Sequence, residues 1–390
     1  MRNHGLMSGL AARHEIDLLT FADAASLSAA RSSLLAGMCR RIDAAPLPVL
    51  SMTRRALTTL FSPWPDMALR LGSKPFADRL AAWLCERDYD VIQIEGIEMA
   101  RYGLLALRRA PNARVIFDDH NAEWLLQRRT YEAERELKGW SIGAIYSLIQ
   151  TWKLTRFERT ICRAVDHVLA VSQADAAAIH ALDPQLSITV VTNGIDTTFY
   201  RPGSVIPIEY GAPALIFSGT MDFRPNVDAV LWFAANVLPK IRATQPSAEF
   251  VVVGQRPHAR LAALRGQPGI RITGVVEDAR PYIAGATVCV VPLRMGGGTR
   301  LKVLEALALG VPIVSTSLGI DGFEIVHGRE AIVADDPGQF AAEALRTIED
   351  ADRRQTLIEN GRRFVEANYD WKVIVPRLAE VYRRTASRDE

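Results

Sequence analysis

Short apolar runs alternate with longer stretches of helical periodicity along almost the whole chain, and few folds tolerate that rhythm. Strands this short and this continuously apolar are buried on both faces, so they need helices above and below them. The pattern predicts parallel sheets of the α/β class. In the first half the candidate strands are Ile16–Phe21, Val91–Glu95, Val115–Asp118, His167–Val171 and Ile188–Val191, with helical patterns at 24–41, 76–87 and 124–163. The second half restarts the rhythm at Ala214–Phe217, Glu249–Val253, Ile270–Thr273, Val288–Val291, Ile313–Ser315 and Ala331–Val333. Between the halves, residues 200–213 are rich in Pro and Gly and lack periodicity, as a linker does.

At 390 residues, against roughly 100–200 per domain, the chain is long enough for two domains. The expected architecture is two doubly wound, Rossmann-like domains facing a cleft, with ligands at the carboxyl ends of the strands. The boundaries expected are 1–203, 212–370 and a last helix, 371–390, crossing back to the first domain. The chain opens with a helical pattern at about 5–13, and no strand precedes it. In such a domain a first strand with a Gly-rich turn usually sits beside the ligand, so either the chain starts late relative to the functional protein or its first domain is built differently.

Charges nearly cancel, with 46 Lys+Arg against 44 Asp+Glu, which disfavours a nucleic-acid partner. The four cysteines, Cys39, Cys85, Cys162 and Cys289, are far apart, and the histidines have no metal-ligand spacing. Neither a zinc site nor a disulfide framework is expected, and the cytoplasm is the natural compartment. No apolar run approaches the roughly 20 residues that span a bilayer.

The strongest local signal is the segment 288–312, VCVVPLRMGGGTRLKVLEALALGVP. A buried strand ends at Pro292, and Gly296, Gly297 and Gly298 allow backbone to approach a ligand closely. Thr299 is the expected N-cap of a helix running to about Leu309, where Gly310 stops it. A helix N-terminus suits a diphosphate, and Arg300 and Lys302 add charges that would be unfavourable there without an anion. Lys302 and Glu305 share a face, so Glu305 is placed to accept from sugar hydroxyls. The bland alternative is an ordinary helix with a surface ion pair.

Other strand ends carry weaker signals. In VIFDDHNAE (115–123), His120 is a candidate for bonding a sugar hydroxyl or the nucleophile's proton. It is equally a helix-capping histidine, with Asp119 and Glu123 as capping groups. In FSGTMDFRPN (217–226), Gly219 and Thr220 are donor-phosphate candidates, while Pro225 and Asn226 read as a helix start. Arg256 is a further phosphate candidate, and the backbone near Val275 a contact for a base; turn chemistry explains both as well. The stretch 124–157 holds Trp124, Trp140, Tyr146 and Trp152 among Arg128, Arg129, Lys138, Lys153 and Arg156. It reads either as a helical pair with core aromatics and solvated cations or as a surface resting on an anionic membrane.

Taken in order, LAARHEIDLLTF, DDHNAE, DHVLAVSQADA, VTNGID, SGTMDFRPNVDAVLWF, ITGVVEDARPYIAGA, GGGTRLKVLEA and NYDWKVI resemble the family 4 glycosyltransferases of GT-B fold. Within them the chain is similar to sugar transferases of bacterial exopolysaccharide synthesis. The resemblance implies a retaining, metal-independent transfer from a nucleotide-diphosphate sugar to a glycan or lipid-linked acceptor, without a cofactor. Peripheral contact with the inner membrane would accompany a lipid-linked acceptor. His120 matches the family's histidine near the transferred sugar, and Glu305 the second Glu of its paired-Glu motif. The first Glu position is Gly297 here. Thr220 and Asn226 stand at about the positions of the family's Arg and Lys, which leaves Arg300 and Lys302 to supply the cations. A nucleotide-sugar epimerase of the same architecture, or a silent member acting as a binding partner, are the competing functions.

Overall fold

The computed structural model describes residues 2–49, 57–59, 61–296 and 300–387. Two compact units emerge, one from Met1–Thr192 with Val375–Glu390, the other from Asn193–Ile374.

The first unit contains a two-stranded parallel sheet, β1 (Asp17–Phe21) beside β2 (Arg41–Ala45). A four-stranded parallel sheet follows in the order β3 (Val91–Glu95), β4 (Arg114–Asp119), β5 (His167–Ala170), β6 (Ile188–Val190). Simple order and all-parallel pairing are what right-handed helical crossovers produce. The core is built from the apolar faces of β3 to β5 and the helices over them, with Ile116 and Phe117 fully buried.

One helical expectation in this unit needs correction, and another resolves into the helical pair already considered. The pattern at 24–41 is two short helices, Ala24–Arg31 and Leu35–Met38, followed by β2. Asp23 caps the first through Ser26 N–H, and Ser32 ends it by returning its N–H to earlier carbonyls. The pattern at 124–163 is a hairpin of helices Glu123–Lys138 and Ile142–Ala164, broken at Gly139, whose φ of 64° closes the first helix. Ser141 caps the second through Ala144 N–H at 3.1 Å.

The second unit holds a six-stranded parallel sheet, ordered β12 (Ile332–Val333), β11 (Ile313–Ser315), β10 (Val288–Val291), β7 (Ala214–Ser218), β8 (Glu249–Val253), β9 (Ile270–Gly274). The order reverses between β7 and β10, which in a doubly wound sheet marks the ligand end. All five residues of β7 and all four of β10 are buried, as a strand sandwiched by helices must be. The helix Trp371–Ala386 begins in this unit, and its residues from Val375 onward belong to the first.

Candidate functional site

In the second unit, three loops leave the carboxyl ends of adjacent strands. After β7 the chain turns through Gly219 and Thr220, and after β8 through Gly254, and the two turns interlock. Gly219 donates its N–H to Val253 O at 3.0 Å, and Met221 to Gln255 O at 2.8 Å. A Cβ on Gly254 would lie 1.6 Å from Gly219 O, so only glycine lets these backbones meet. A Cβ on Gly219, whose φ is 149°, would come within 3.0 Å of Lys302 Nζ.

The third loop leads from β10 into the helix Leu301–Ala308. That helix starts one residue later than the sequence suggests. Arg300, not Thr299, occupies its N-cap position and makes no side-chain cap bond, since a guanidinium has no acceptor to offer. Gly297, Gly298 and Thr299 themselves lie outside the described residues.

Lys302 is the centre of this cluster. Its ammonium donates to Asn226 Oδ1 at 3.0 Å and lies 3.7 Å from the Phe217 ring centroid. Asn226 in turn donates from Nδ2 to Thr220 O at 2.9 Å, which fixes its amide and ties the lysine to the β7 turn. Burial pushes the Lys302 ammonium down to about 7. Arg300, also buried, donates to Leu318 O at 3.4 Å, and burial lowers its pKa too. Two cations held in low dielectric at the start of a helix are poised for an anion.

Glu305, one turn on, forms no surface ion pair: it accepts from Tyr200 Oη at 3.3 Å, and burial raises its carboxyl above the ordinary range. The Tyr200 hydroxyl is likewise raised, by burial and then by Glu305. Tyr200, in a segment that reads as linker, is a partner the sequence did not signal. Arg256 and Val275 are not drawn in. Arg256 pairs with Asp222 at 3.4 Å, with the positive φ of 54°, and Val275 is 75% exposed in the turn after β9.

The first unit carries its own polar cluster at the ends of β3 and β4. His120 Nε2 meets Glu95 Oε2 at 2.9 Å. Gln93, two residues back on the same face of β3, donates to Glu95 Oε1 at 2.6 Å, and Tyr382 donates to Gln93 Oε1. Glu95 is thereby held on both oxygens. Its contact with Nε2 selects the tautomer that leaves Nδ1 for other partners. Burial works to lower the His120 pKa, but the Glu95 bond and the charges of Asp118 and Glu95 outweigh it, and the net shift is upward.

Asp118 is fully buried beneath this pair. Arg2 reaches it from the N-terminal helix (Nε to Oδ2 3.0 Å, Nη2 to Oδ1 2.9 Å) and also donates to the carbonyls of Val191 and Thr192. Burial still raises Asp118 to about 6. Among the described residues, Glu95, Asp118 and His120 are the group whose ligand atoms lie close enough for a metal ion. Here, however, Arg2 engages both oxygens of Asp118, and Gln93 and His120 engage Glu95. The donor set is already satisfied by a guanidinium, which does not fit a metal cage.

Asp119 and Glu123 do not cap the helix that follows. Ala122 stands at the cap, and the helix start is satisfied by Glu158 from the facing helix, which accepts from Trp124 N–H at 2.9 Å. Asp119 and Glu158 are neighbours, both fully buried. Burial first, then their mutual repulsion, raises Asp119 well above the carboxylate range, and burial raises Glu158 to about 8. At neutral pH the pair keeps a proton.

Two parallel-sheet, Rossmann-like α/β units, the second reversing its strand order beside a cluster of cations, correspond to the GT-B architecture. Residues 2–199 match the family described as Glycosyltransferase Family 4, and residues 212–350 the one described as Glycosyl transferases group 1. The chain belongs to glycosyltransferase family 4.

It is 24% identical over 334 residues to the phosphatidyl-myo-inositol mannosyltransferase of Mycolicibacterium smegmatis, covering 82% of this chain and 78% of that one. It is 22% identical to an uncharacterised 44.6 kDa protein of the cps region of Klebsiella pneumoniae, covering 41% of this chain and 43%, less than half, of the relative. Among solved structures, the sucrose-phosphate synthase of Thermosynechococcus elongatus superposes with a TM-score of 0.71 at 17% identity, over all of this chain and 93% of the other. That likeness establishes a shared fold.

Proposed function

We propose that the chain transfers a sugar from a nucleotide-diphosphate donor to a glycan or lipid-linked acceptor, with retention and without a metal, in the synthesis of a surface polysaccharide. The observation that carries this reading is Lys302: a half-buried residue whose ammonium is desolvated and held by Asn226 at the β7 turn, near Arg300 and Glu305. When the donor's C1–O bond breaks, charge develops on the leaving diphosphate. Fixed cations and a helix terminus stabilise that charge without reorganisation, which is where a metal would otherwise act. Glu305 would take the sugar's or ribose's hydroxyls, and Gly219, Thr220, Gly297, Gly298 and Thr299 would line the phosphates. His120, oriented by Glu95, would bond the transferred sugar or the acceptor hydroxyl.

The work of the M. smegmatis relative on phosphatidyl-myo-inositol, as its name states, supports a lipid-linked acceptor. We place the chain in the cytoplasm, at the inner face of the cytoplasmic membrane. The two family matches fall one on each unit, which supports an acceptor-side role for the first and donor binding for the second.

A ligand selective for the native state must stabilise it. UDP, GDP or ADP should therefore raise the melting temperature, and Lys302→Ala and Glu305→Ala should abolish the rise. Normal binding by both variants would refute the site. Labelled donor incubated with membrane extract should yield labelled lipid or glycan; epimerised donor or no turnover would refute the transfer.

A further inference from the structure

The helix Ile142–Ala164 leaves one of its faces uncovered. Ile142 is 89% exposed, Ile145 47%, Leu148 40% and Trp152 60%, and the exposed row continues with Arg156, Arg159 and Arg163. At about 100° per residue these seven fall within an arc of roughly 120°, a single stripe. The opposite face, including Ala144, Leu154, Phe157 and Ile161, is buried in the unit. The helix has one acidic side chain, Glu158, and it is buried.

The stripe is divided along its length. The first three turns are apolar, about 15 Å from Ile142 to Trp152, and the turns that follow are cationic. Trp140, 65% exposed, flanks the apolar end with the Arg135 guanidinium 5.1 Å from its ring. Lys153 is no part of the charge. Its ammonium donates to the carbonyls of Thr59 and Ser62 at 2.6 Å each, fastening to this helix the segment that bears exposed Leu57 and Phe61. Arg163 is paired with Asp183. Of the sequence's aromatics, Trp140 and Trp152 are therefore outside the core, whereas Trp124 and Tyr146 are half-buried.

We propose that this stripe docks on a bilayer surface rich in anionic lipid. Ile142, Ile145, Leu148 and Trp152 enter the boundary between headgroups and acyl chains, and Arg156 and Arg159 meet lipid phosphates. Indole rings, apolar with one polar N–H, belong at that boundary, and the stripe itself carries no acid; the exposed Glu132 and Glu136 lie on the paired helix, where Glu132 is neutralised by Arg128. The proposal deepens the lipid-side acceptor of the preceding reading, but docking itself requires neither donor nor turnover.

The test is flotation of the full chain with phosphatidylcholine vesicles containing 40% phosphatidylglycerol, beside pure phosphatidylcholine. Binding is expected to the anionic vesicles alone, with a blue shift of tryptophan emission. Arg156→Ala with Arg159→Ala should weaken it roughly thirtyfold, from about 1 kcal/mol per surface arginine. Ile145→Ser with Trp152→Ser should remove it while leaving the melting temperature and its rise with UDP or GDP unchanged. Absence of vesicle binding, or binding indifferent to both double variants, overturns the proposal. So does a concentration-dependent dimer that Ile145→Ser with Trp152→Ser dissolves, because the face would then belong to a second copy. Vesicle binding without any nucleotide-dependent rise would sink the enzymatic reading and leave the docking surface standing.

Discussion

A lysine that titrates near neutrality makes diphosphate binding strongly dependent on pH, with a sign fixed by the geometry. Burial holds Lys302 at about 7, against an ordinary value of 10.5. A diphosphate beside Nζ needs the ammonium, so above pH 7 binding must also bring a proton. A terminal phosphate ionises near pH 6 and stays fully charged over this range, contributing no slope of its own. The apparent affinity should therefore fall by up to tenfold per pH unit, or roughly 25-fold between pH 7.5 and pH 9. Calorimetric titration with UDP or GDP at pH 8.5, in HEPES and in Tris, reads the proton directly: the two heats should differ by about the difference between the two buffers' ionisation enthalpies, the mark of one proton taken up.

The unliganded protein should show the opposite slope. Between pH 7 and pH 10.5 the unfolded chain keeps the Lys302 proton and the native state does not. Native stability thus rises with pH across that window, by up to about 1.4 kcal/mol per unit. Lys302→Met should remove both slopes. Proton uptake near zero, or a Lys302→Met variant with the wild-type pH dependence, would show that this ammonium does not face the ligand.

Two further outcomes follow from the first unit. Glu95→Gln removes the Glu95 charge and its carboxylate bond, leaving burial opposed mainly by Asp118, so the midpoint of the ring's NMR titration should move to lower pH; an unmoved midpoint would deny Glu95 its orienting role. Glu158, at about 8 when folded and near 4.5 when unfolded, keeps a proton that unfolding releases, so urea midpoints should decline from pH 5 to pH 8. Glu158→Gln gives Asp119 a neutral donor and should flatten that decline, and an equally steep variant would place the proton elsewhere.

The second unit's sheet is legible because each strand is an uninterrupted apolar run bounded by turn residues, as in Val288–Val291 before Pro292. β2 is not: Arg-Ile-Asp-Ala-Ala is half polar and follows a helical stretch without a strong breaker, and only its pairing with β1 makes it a strand. The cations Arg300 and Lys302 at the start of the helix Leu301–Ala308 can be read from their spacing. Their burial cannot, because it depends on Asn226 and Phe217, which are far away in sequence. The same holds for the setting of His120, whose partners are Glu95, Gln93 and Tyr382, and for the Asp119–Glu158 pair, where each carboxyl alone reads as an ordinary surface group. Sequence reveals which groups are present; long-range contacts decide their protonation.

The helix Trp371–Ala386 has a consequence for biogenesis. Because the ribosome delivers it after every other element named here, the second unit can close while the first still lacks a piece of itself. Tyr382 supplies the far end of the hydrogen-bonded line that runs through Gln93 and Glu95 to His120. A nascent chain would thus complete its second unit first. It would settle the histidine only when synthesis passes residue 382, so that lock comes last.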